Sequence, residues 1–312
     1  MLPKYSITSL FSGCGGLDLG FHGGFTYLDK KFNRLKFQTL FANDIDKNAC
    51  LTFEKNFKKE IICDDINNVL ENNNFSSTDI IIGGFPCQDF SLAGKRRGFN
   101  SERGNLYKSM CKTIEHVKPK LFLAENVKGL LTIDDGNAIK KIISELESLN
   151  YNVTYKLFKV SDFGVPQKRE RIIIIGTRKD LLPIFNFDII KTVDKKIIAN
   201  DALKDLEDIK ENHFPNHGWS KAKKNKGQGN ISIEKDDFAP TMRAEHHGNI
   251  EFHWNGKRRL SAREAARIQS FPDNFIFFPS TSSAYKQIGN AVPPVFAWHI
   301  AKSIQQFLDD NL

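Results

Sequence analysis

Residues 11–17 have the sequence FSGCGGL and lie at the end of a short apolar run that begins at Ile7. The run predicts a buried strand, and the glycines predict a turn into a helix. Glycines at such a turn let the backbone approach a nucleotide-like ligand, with the helix N-terminus behind it. A single Gly-x-Gly-Gly is a weak signal, so support must come from the rest of the chain. The turn has no lysine of the Walker type, which argues against nucleoside triphosphate binding.

Short apolar runs alternate with polar or helical stretches from this turn to about residue 178. We predict buried strands at residues 7–11, 39–42, 61–63, 80–82, 121–124, 153–158 and 172–175. Between two of them, residues 138–146 have apolar side chains at helical spacing. The alternation predicts an α/β fold with a mostly parallel sheet covered on both faces. In that architecture ligands bind at the carboxyl ends of the strands.

The alternation ends beyond Arg178. Residues from about 180 to 257 are rich in Asn, Lys, His and Gly, which is typical of a small irregular domain or of a disordered linker. Their aromatic residues favour a folded module. Helical patterns return at residues 262–269 and 294–307. We therefore predict a catalytic domain at 1–178 and 284–312, a smaller domain at 179–270 and a hinge at 271–283.

The composition is that of a globular protein: 312 residues, 40% of them hydrophobic and 26% charged. No apolar run approaches the roughly 18 residues that span a membrane, and the first residues do not resemble a signal peptide, so we expect a cytoplasmic protein. The net charge of +8 favours an acidic partner such as nucleic acid. Basic runs among glycines, at 94–98 and 221–227, are suited to contact a phosphate backbone.

The cysteines and histidines do not predict a metal site. The five cysteines, at 14, 50, 63, 87 and 111, lack paired spacing, which argues against disulfides and structural zinc. His246, His247 and His253 have no cysteines at ligand spacing, so contacts to nucleic acid or a surface position are the preferred interpretations. We expect no bound metal.

Acidic residues follow two further predicted strands. Asp44 ends the second, and Asp65 comes after the third. Each carboxylate could instead cap a helix. Together with the glycine turn, however, they form a series at consecutive strand ends, and this series favours an adenosine-type cofactor.

The chemistry-bearing residues follow the next strands. Cys87 lies in residues 83–91, GGFPCQDFS, after the fourth strand, and Glu125 follows the fifth. A free cysteine is commonly a small buried hydrophobe. Beside an adenosyl site, a thiol near a carboxylic acid instead suggests nucleophilic attack on an electrophilic ring. Arg169 and Arg171, two residues apart, share one face of a strand, where they could anchor a carbonyl oxygen and orient a carboxylate.

The motifs resemble, in order, those of the bacterial DNA (cytosine-5) methyltransferases of type II restriction-modification systems. They are FSGCGGLDLGF, NDID, GGFPCQDFS, ENVKGL, QKRERIIIIG, RRLSAREAARIQSFPDNF and QIGNAVPP. The resemblance covers nearly the whole chain except about 180 to 257. It implies a Rossmann-like sheet that uses S-adenosylmethionine, with residues 179–270 as a target-recognition domain.

The resemblance also implies roles for individual residues. Cys87 matches the nucleophile and Glu125 the acid that faces cytosine N3. Arg169 and Arg171 match the pair near cytosine O2 and that glutamate. Asp44 matches the ligand of the ribose hydroxyls. The other positions implied to bind the cofactor are Phe11, Gly13, Gly16, Ile45, Asp65, Ile66, Gly84, Pro86, Leu106, Asn290 and Val292.

Some of these positions have a more specific implied contact. Asp65 matches the residue that contacts the adenine amine, and Leu106 covers the pocket. Asn290 and Val292 return from the C-terminal part to complete it. Ile45 departs from the family, since many members have an aromatic residue there against the adenine face.

The implied substrate is a flipped cytosine in double-stranded DNA, because a base inside the duplex cannot be reached. The segment from Ser91 to Arg103 is rich in glycine and basic side chains and is suited to close over DNA. The expected DNA-binding residues are Ser91, Lys95, Arg96, Arg97, Arg103, Lys223 and Lys224. We expect a monomer that protects host DNA, with a possible cognate restriction endonuclease acting on the same site.

Two alternative functions are open to a chain with this pattern. The first is methylation of tRNA, since one branch of the same family acts on tRNA. That branch has a Cys-Phe-Thr signature, which this chain lacks. The second is a catalytically silent DNA-binding protein, against which the presence of Cys87, Glu125, Arg169 and Arg171 argues.

Overall fold

The computed structural model describes residues 3–72, 75–85, 106–221, 223, 230–244 and 251–312. Several sequence predictions lie outside the described residues. They concern Pro86, Cys87, Ser91, Lys95, Arg96, Arg97, Arg103, Lys224, His246 and His247.

A seven-stranded sheet forms the centre of the molecule, with strand order β5-β4-β1-β6-β7-β9-β8. All seven predicted strands are present in it. The strands are β1 (Tyr5–Leu10), β4 (Phe37–Asp44), β5 (Ile62–Cys63), β6 (Ile80–Gly83), β7 (Leu121–Val127), β8 (Tyr151–Lys159) and β9 (Glu170–Arg178). The first five pair in parallel, while β9 is antiparallel to both β7 and β8. The prediction of a mostly parallel sheet is therefore confirmed.

A second, two-stranded sheet was not predicted. It is an antiparallel hairpin of β2 (Phe25–Tyr27) and β3 (Lys30–Phe32). Strands of three residues are too short to give a clear periodic signal in the sequence.

Nine α-helices accompany the sheet within the described part of the chain. They are α1 (Gly16–His22), α2 (Lys47–Phe57), α3 (Ile66–Glu71), α4 (Leu106–Val117), α5 (Asn137–Ser148), α6 (Ala199–Leu203), α7 (Ala262–Ile268), α8 (Thr281–Asn290) and α9 (Pro294–Asn311). The three helical patterns found in the sequence correspond to α5, α7 and α9. No helix among the described residues is long and apolar enough to cross a membrane.

Both faces of the sheet are covered, as the alternating side chains of β9 show. Ile173 and Ile175 belong to a first core cluster, on the face where α1 and α9 pack. Ile172 and Ile174 belong to a second core cluster, on the face where α4 and α5 pack. This arrangement explains why the strands are continuously apolar, since a strand buried on both faces has no polar side.

A third core cluster combines residues of the predicted smaller, irregular domain with residues of the predicted hinge and of α8. It joins α6 and α7 to Phe271, Phe275 and Ile288. The described residues from 179 to 261 contain isolated bridges, short three-ten turns and α6 but no named strand, consistent with an irregular module. Phe185 and Phe187, by contrast, pack in the first core cluster with the sheet. The division into domains remains a prediction, and the segment around these two residues packs with the sheet.

Candidate active site

The carboxyl ends of β4, β1, β6 and β7 meet at one edge of the sheet. The chain proceeds from β1 outward to β4 and β5, and then returns to β6 on the other side of β1. Such a reversal opens a crevice at the carboxyl ends of the strands, where ligands of open α/β sheets bind. The predicted site residues of the described chain mostly lie along this edge.

The turn after β1 approaches its neighbours closely at one glycine and is open at another. A Cβ atom at Gly16 would lie 2.4 Å from the carbonyl oxygen of Val292. A Cβ atom at Gly13 would have nothing within 4 Å. Gly13 has a φ of +56° and Phe11 a φ of 52°. The tight turn therefore packs on the loop after α8 and leaves open space beside Gly13.

Asp44 is fixed at the end of β4 by backbone donors. The amide of Gly13 donates to its Oδ2 at 2.7 Å, and the amide of Asp46 donates to its Oδ1 at 2.8 Å. Burial raises the pKa of Asp44, and these hydrogen bonds oppose the rise. A carboxylate has about four acceptor positions, so an anchored Asp44 keeps capacity for hydroxyl donors. The arrangement fits a ribose.

Asp46 and Asp65 both cap helices, which is the alternative role expected for an acidic residue at a strand end. Asp46 caps α2 and forms an ion pair with Lys286 at 2.6 Å. Asp65 caps α3, where its Oδ1 accepts the amide of Asn67 at 2.8 Å. The cap is therefore a feature of Asp65, and the contact of Asp65 with adenine stays a prediction.

The remaining predicted cofactor positions differ in exposure. Ile45 is 67% exposed beside Asp44, whereas Ile66 is 2% exposed and packs in the second core cluster. Leu106 begins α4 and packs partly buried against the same cluster. Asn290 ends α8 exposed, while Val292 is buried two residues later. Ile66 therefore presents almost no side-chain surface to a ligand, and Val292 little.

Glu125 and Arg171 form an ion pair where β7 and β9 meet at this edge. Arg171 Nε lies 2.7 Å from Glu125 Oε1, and Glu125 is only 8% exposed. The register of β7 and β9 places Arg171 opposite Val127, so Glu125 is its diagonal neighbour on the same face. Burial lowers the pKa of Arg171, and Glu125 opposes this effect. A Cβ atom at Gly84 would lie 3.0 Å from Glu125 Oε2, so the exit from β6 passes directly beside this carboxylate.

Arg169 has different partners from Arg171. It is 2% exposed, and its guanidinium donates to the carbonyl oxygens of Met242, Gly289 and Ala291 at 3.0, 3.0 and 3.2 Å. Burial lowers the pKa of Arg169 well below its ordinary value. The two arginines thus differ in their contacts: Arg171, in β9, pairs with a carboxylate, whereas Arg169, directly before β9, donates to backbone carbonyl groups.

Two residues without a predicted role also shape the site. Asn126 is buried and donates from Nδ2 to the carbonyl oxygen of Phe85 at 3.0 Å. It thereby fixes the backbone that leads towards Cys87. Gln167 is fully buried and accepts the amide of Met242 at 2.9 Å. The signal available in the sequence was a polar residue one or two positions from a predicted catalytic one.

The basic and histidine residues are only partly described. Lys223 is exposed, as expected of a phosphate contact. His253 is 0% exposed, so the interpretation of this residue as a surface or nucleic-acid contact is wrong. It packs against Trp254 and lies 3.8 Å from Glu264. Within the described ranges no group of three or more His, Cys, Asp or Glu could hold a metal ion.

Comparison with known proteins identifies the family. Residues 5–237 and 218–306 match the C-5 cytosine-specific DNA methylase family. The type II methyltransferase M.FnuDI of Fusobacterium nucleatum is 39% identical over 345 residues, covering 98% of this chain and 95% of the relative. The type II methyltransferase M.NgoFVII of Neisseria gonorrhoeae is 37% identical over 341 residues, covering 99% and 88%.

Solved structures share the fold. The S. pombe Dnmt2 methyltransferase superposes with a TM-score of 0.71 at 17% identity, covering 98% of this chain and 99% of that one. The Entamoeba histolytica methyltransferase EhMeth gives a TM-score of 0.69 at 18% identity, covering 98% of both chains.

The sheet order defines an α/β fold of the Rossmann-like class, which the solved structures share. The chain belongs to the C-5 cytosine-specific DNA methylases. It is a DNA cytosine-5 methyltransferase of the type II restriction-modification kind.

Proposed function

We propose that this enzyme methylates C5 of a flipped cytosine at a short specific site in double-stranded DNA, through a covalent adduct with Cys87. The observation that carries the proposal is the Glu125–Arg171 pair, which lies beside Gly84 where the chain leaves β6 towards Cys87. A buried carboxyl group held by an arginine at this position is suited to meet a polar ring edge. It would face whatever ring the thiol attacks.

Cytosine C5 is a weak nucleophile, and the proposed chemistry first makes it electron-rich. The thiolate of Cys87 adds to C6, and the electrons of the C5–C6 double bond become available at C5. Glu125 hydrogen-bonds or protonates N3, which takes up the charge that develops on the ring. After C5 is methylated, a base removes the C5 proton, the double bond re-forms and the bond from Cys87 to C6 breaks.

Arg171 supports this step by positioning Glu125 and by lying on the side of cytosine O2. Its ion pair fixes the carboxyl group before substrate arrives, so that little reorganisation is needed during the reaction. Arg169 lies behind it, where its guanidinium donates to backbone carbonyls. We therefore expect Arg171, and not Arg169, to contact the base directly.

S-adenosylmethionine is the proposed cofactor, and when bound it supplies an electrophilic methyl group on a sulfonium sulfur. The anchored carboxylate of Asp44 and the open space at Gly13 fit an adenosyl ligand. The proposed binding residues are Phe11, Gly13, Gly16, Asp44, Ile45, Asp65, Ile66, Gly84, Pro86, Leu106, Asn290 and Val292.

The DNA would be held by basic side chains and read by the module at 179–270. Extruding the target base costs a few kcal/mol, which contacts to the opened duplex would offset. Ser91, Lys95, Arg96, Arg97, Arg103, Lys223 and Lys224 are proposed to contact DNA. We further propose that the enzyme acts as a cytoplasmic monomer and protects host DNA from a cognate endonuclease.

The proposal is tested by expressing wild type and Cys87→Ala, with Cys63→Ala as a control at an exposed free thiol. Bisulfite sequencing of cellular DNA should give one methylated motif for wild type and Cys63→Ala, and none for Cys87→Ala. Duplexes with 5-fluorocytosine at that motif should trap a covalent adduct that needs Cys87, because no proton can leave C5. Normal turnover by Cys87→Ala, or methylation of tRNA but not of duplex DNA, would contradict the proposal.

A further inference from the structure

The segment that leads into β9 holds two distant parts of the chain at once. Gln167 accepts the amide of Met242 at 2.9 Å, and Arg169 donates to the carbonyl oxygen of the same residue at 3.0 Å. The amide and the carbonyl group of Met242, in the predicted recognition module, are thus both held by side chains of this segment. Lys168 extends the contact by donating its amide to Ala239 at 2.8 Å.

The same arginine also holds the C-terminal end of α8 and the loop that follows it. Its Nη2 atom donates to Gly289 and Ala291 at 3.0 and 3.2 Å. Gln269 donates to Ala291 as well, at 2.6 Å. Both donors are buried. This loop continues to Val292, whose carbonyl oxygen would lie 2.4 Å from a Cβ atom at Gly16.

The module and the loop also touch directly. A Cβ atom at Gly289 would lie 2.3 Å from the amide nitrogen of Ala244. The backbone of residues 243 and 244 therefore lies directly on the C-terminal end of α8, and no side chain fits between them. A displacement of this part of the module would press on the loop that supports the Gly16 turn, because packed backbone leaves little room for independent adjustment.

We propose that Arg169 is a positioning residue that couples the recognition module, through Met242, to the cofactor-binding loop at 289–292. The module's position on DNA then sets the affinity for the cofactor, and the cofactor in turn sets the affinity for DNA, since such coupling is reciprocal. This inference rests on the proposed cofactor site at Asn290 and Val292. It assigns Arg169 a role other than contact with the flipped base.

The test measures binding of S-adenosylhomocysteine by calorimetry, with and without a duplex carrying the methylated motif found by sequencing. Arg169→Lys keeps the positive charge but loses the planar fork that reaches three carbonyl groups. We expect it to weaken binding to the free enzyme by about tenfold, as for loss of a charged hydrogen bond. We also expect the ratio of the cofactor affinity with the duplex to the cofactor affinity without it to move towards one. Adduct formation with 5-fluorocytosine at saturating cofactor should persist.

Matched variants separate this role from catalysis and from folding. Lys168→Ala, next to Arg169 in the chain, removes an exposed ion pair with Asp237. It should change neither the cofactor affinity nor the ratio of affinities with and without DNA. Arg171→Lys should reduce adduct formation and leave cofactor affinity unchanged. Gln269→Met removes the second donor to Ala291 at similar volume and should shift cofactor affinity in the same direction as Arg169→Lys. Because Gln269 also accepts a hydrogen bond from Gln167, which holds Met242, the ratio of the affinities of this variant with and without DNA decides the question if Arg169→Lys does not fold.

The possible outcomes distinguish the inference from the proposed function. If wild type binds no S-adenosylhomocysteine, both fail. If wild type binds it with an affinity that DNA changes, and Arg169→Lys behaves identically, only the coupling role is overturned. Weaker binding with an unchanged ratio overturns it too, because Arg169 would then support the loop without connecting it to the module.

Discussion

Arg171 Nε lies 2.7 Å from Glu125 Oε1, across the antiparallel pair of β9 and β7. Because β9 runs against its neighbour, a residue near the start of β9 meets a residue near the end of β7. The arginine thus reaches the edge where the parallel strands end. The ion pair places the only reversed strand of the seven-stranded sheet in direct contact with the site.

Replacing Arg171 by Met should lower kcat by about 100-fold or more, in the range for loss of assisted proton transfer. The carboxyl group of Glu125 would lose its partner and its fixed orientation, whereas Asp44 and its donors would be untouched. Methyl transfer measured at saturating DNA and cofactor gives kcat. A loss confined to KM for S-adenosylmethionine would show that Arg171 serves the cofactor instead.

Replacing Gly84 by Ala should displace the same carboxylate from the other side. The added Cβ atom would lie 3.0 Å from Glu125 Oε2, closer than ordinary contact. Small misplacements of catalytic groups reduce rates by up to about 100-fold, so we expect kcat to fall by about tenfold or more. Gly129→Ala is the control, since its Cβ atom would meet only Val127 at 3.8 Å. Equal kcat values for the two variants would contradict this prediction.

Asp44 and Asp46 allow a paired test of the cofactor site. Asp44→Ala should weaken S-adenosylhomocysteine binding by about 1.5–3 kcal/mol, the range for hydrogen bonds to a charged group. Asp46→Ala removes a helix cap and an exposed ion pair, so it should instead lower the free energy of unfolding by about 1 kcal/mol. Calorimetry and urea unfolding measure the two effects. If Asp46→Ala is the variant with weakened binding, the ribose contact belongs to Asp46.

Much of this site could be predicted because its residues lie at the ends of strands or directly after them. Runs such as Ile172 to Ile175 are apolar enough to fix the strand, and the residue after a parallel strand necessarily reaches the ligand edge. The pairing of Glu125 with Arg171 could not be predicted in the same way. It depends on β9 entering next to β7 in the reverse direction, which no local pattern specifies.

Arg169 illustrates a second limit of prediction from the sequence. Its position two residues before Arg171 predicts a shared strand face, but β9 begins at Glu170, so Arg169 lies before the strand and donates to Met242 and Ala291. The partners are backbone carbonyls, which every residue has, so no side chain in the sequence marks them. The cap formed by Asp65 was foreseeable, by contrast, because it arises within three residues.

Asp18 should make stability depend on pH. It is fully buried behind the glycine turn, where Ser9 and Thr39 donate to it at 2.9 and 2.8 Å. Burial raises its pKa from 3.8 to about 6, against these hydrogen bonds. The folded state therefore holds the proton more tightly than the unfolded state, and the stabilisation this gives below about pH 4 is lost as the pH rises through about 6.

Asp18→Asn removes this titration, so the difference in free energy of unfolding between variant and wild type should change with pH. We expect it to shift in favour of the variant by up to about 3 kcal/mol between about pH 4 and pH 7. Comparing the two proteins at each pH cancels the titration of all other groups. Urea unfolding provides the measurement, and a difference that stays constant across this interval would contradict a raised pKa.

The final prediction concerns sequence specificity, which we place in the module predicted at 179–270. Contacts to base edges carry sequence information, whereas phosphate contacts position the duplex. Phe185 and Phe187 pack with the sheet, in the first core cluster, so an exchange that begins at 179 should disturb the catalytic core. An exchange of 191–257 for the corresponding segment of a relative leaves them in place. That hybrid should fold and methylate the relative's motif through Cys87 and Glu125, whereas the longer exchange should give a less stable protein. Sequencing of the methylated DNA decides the question: an active 191–257 hybrid that keeps the original motif would place recognition in the catalytic domain.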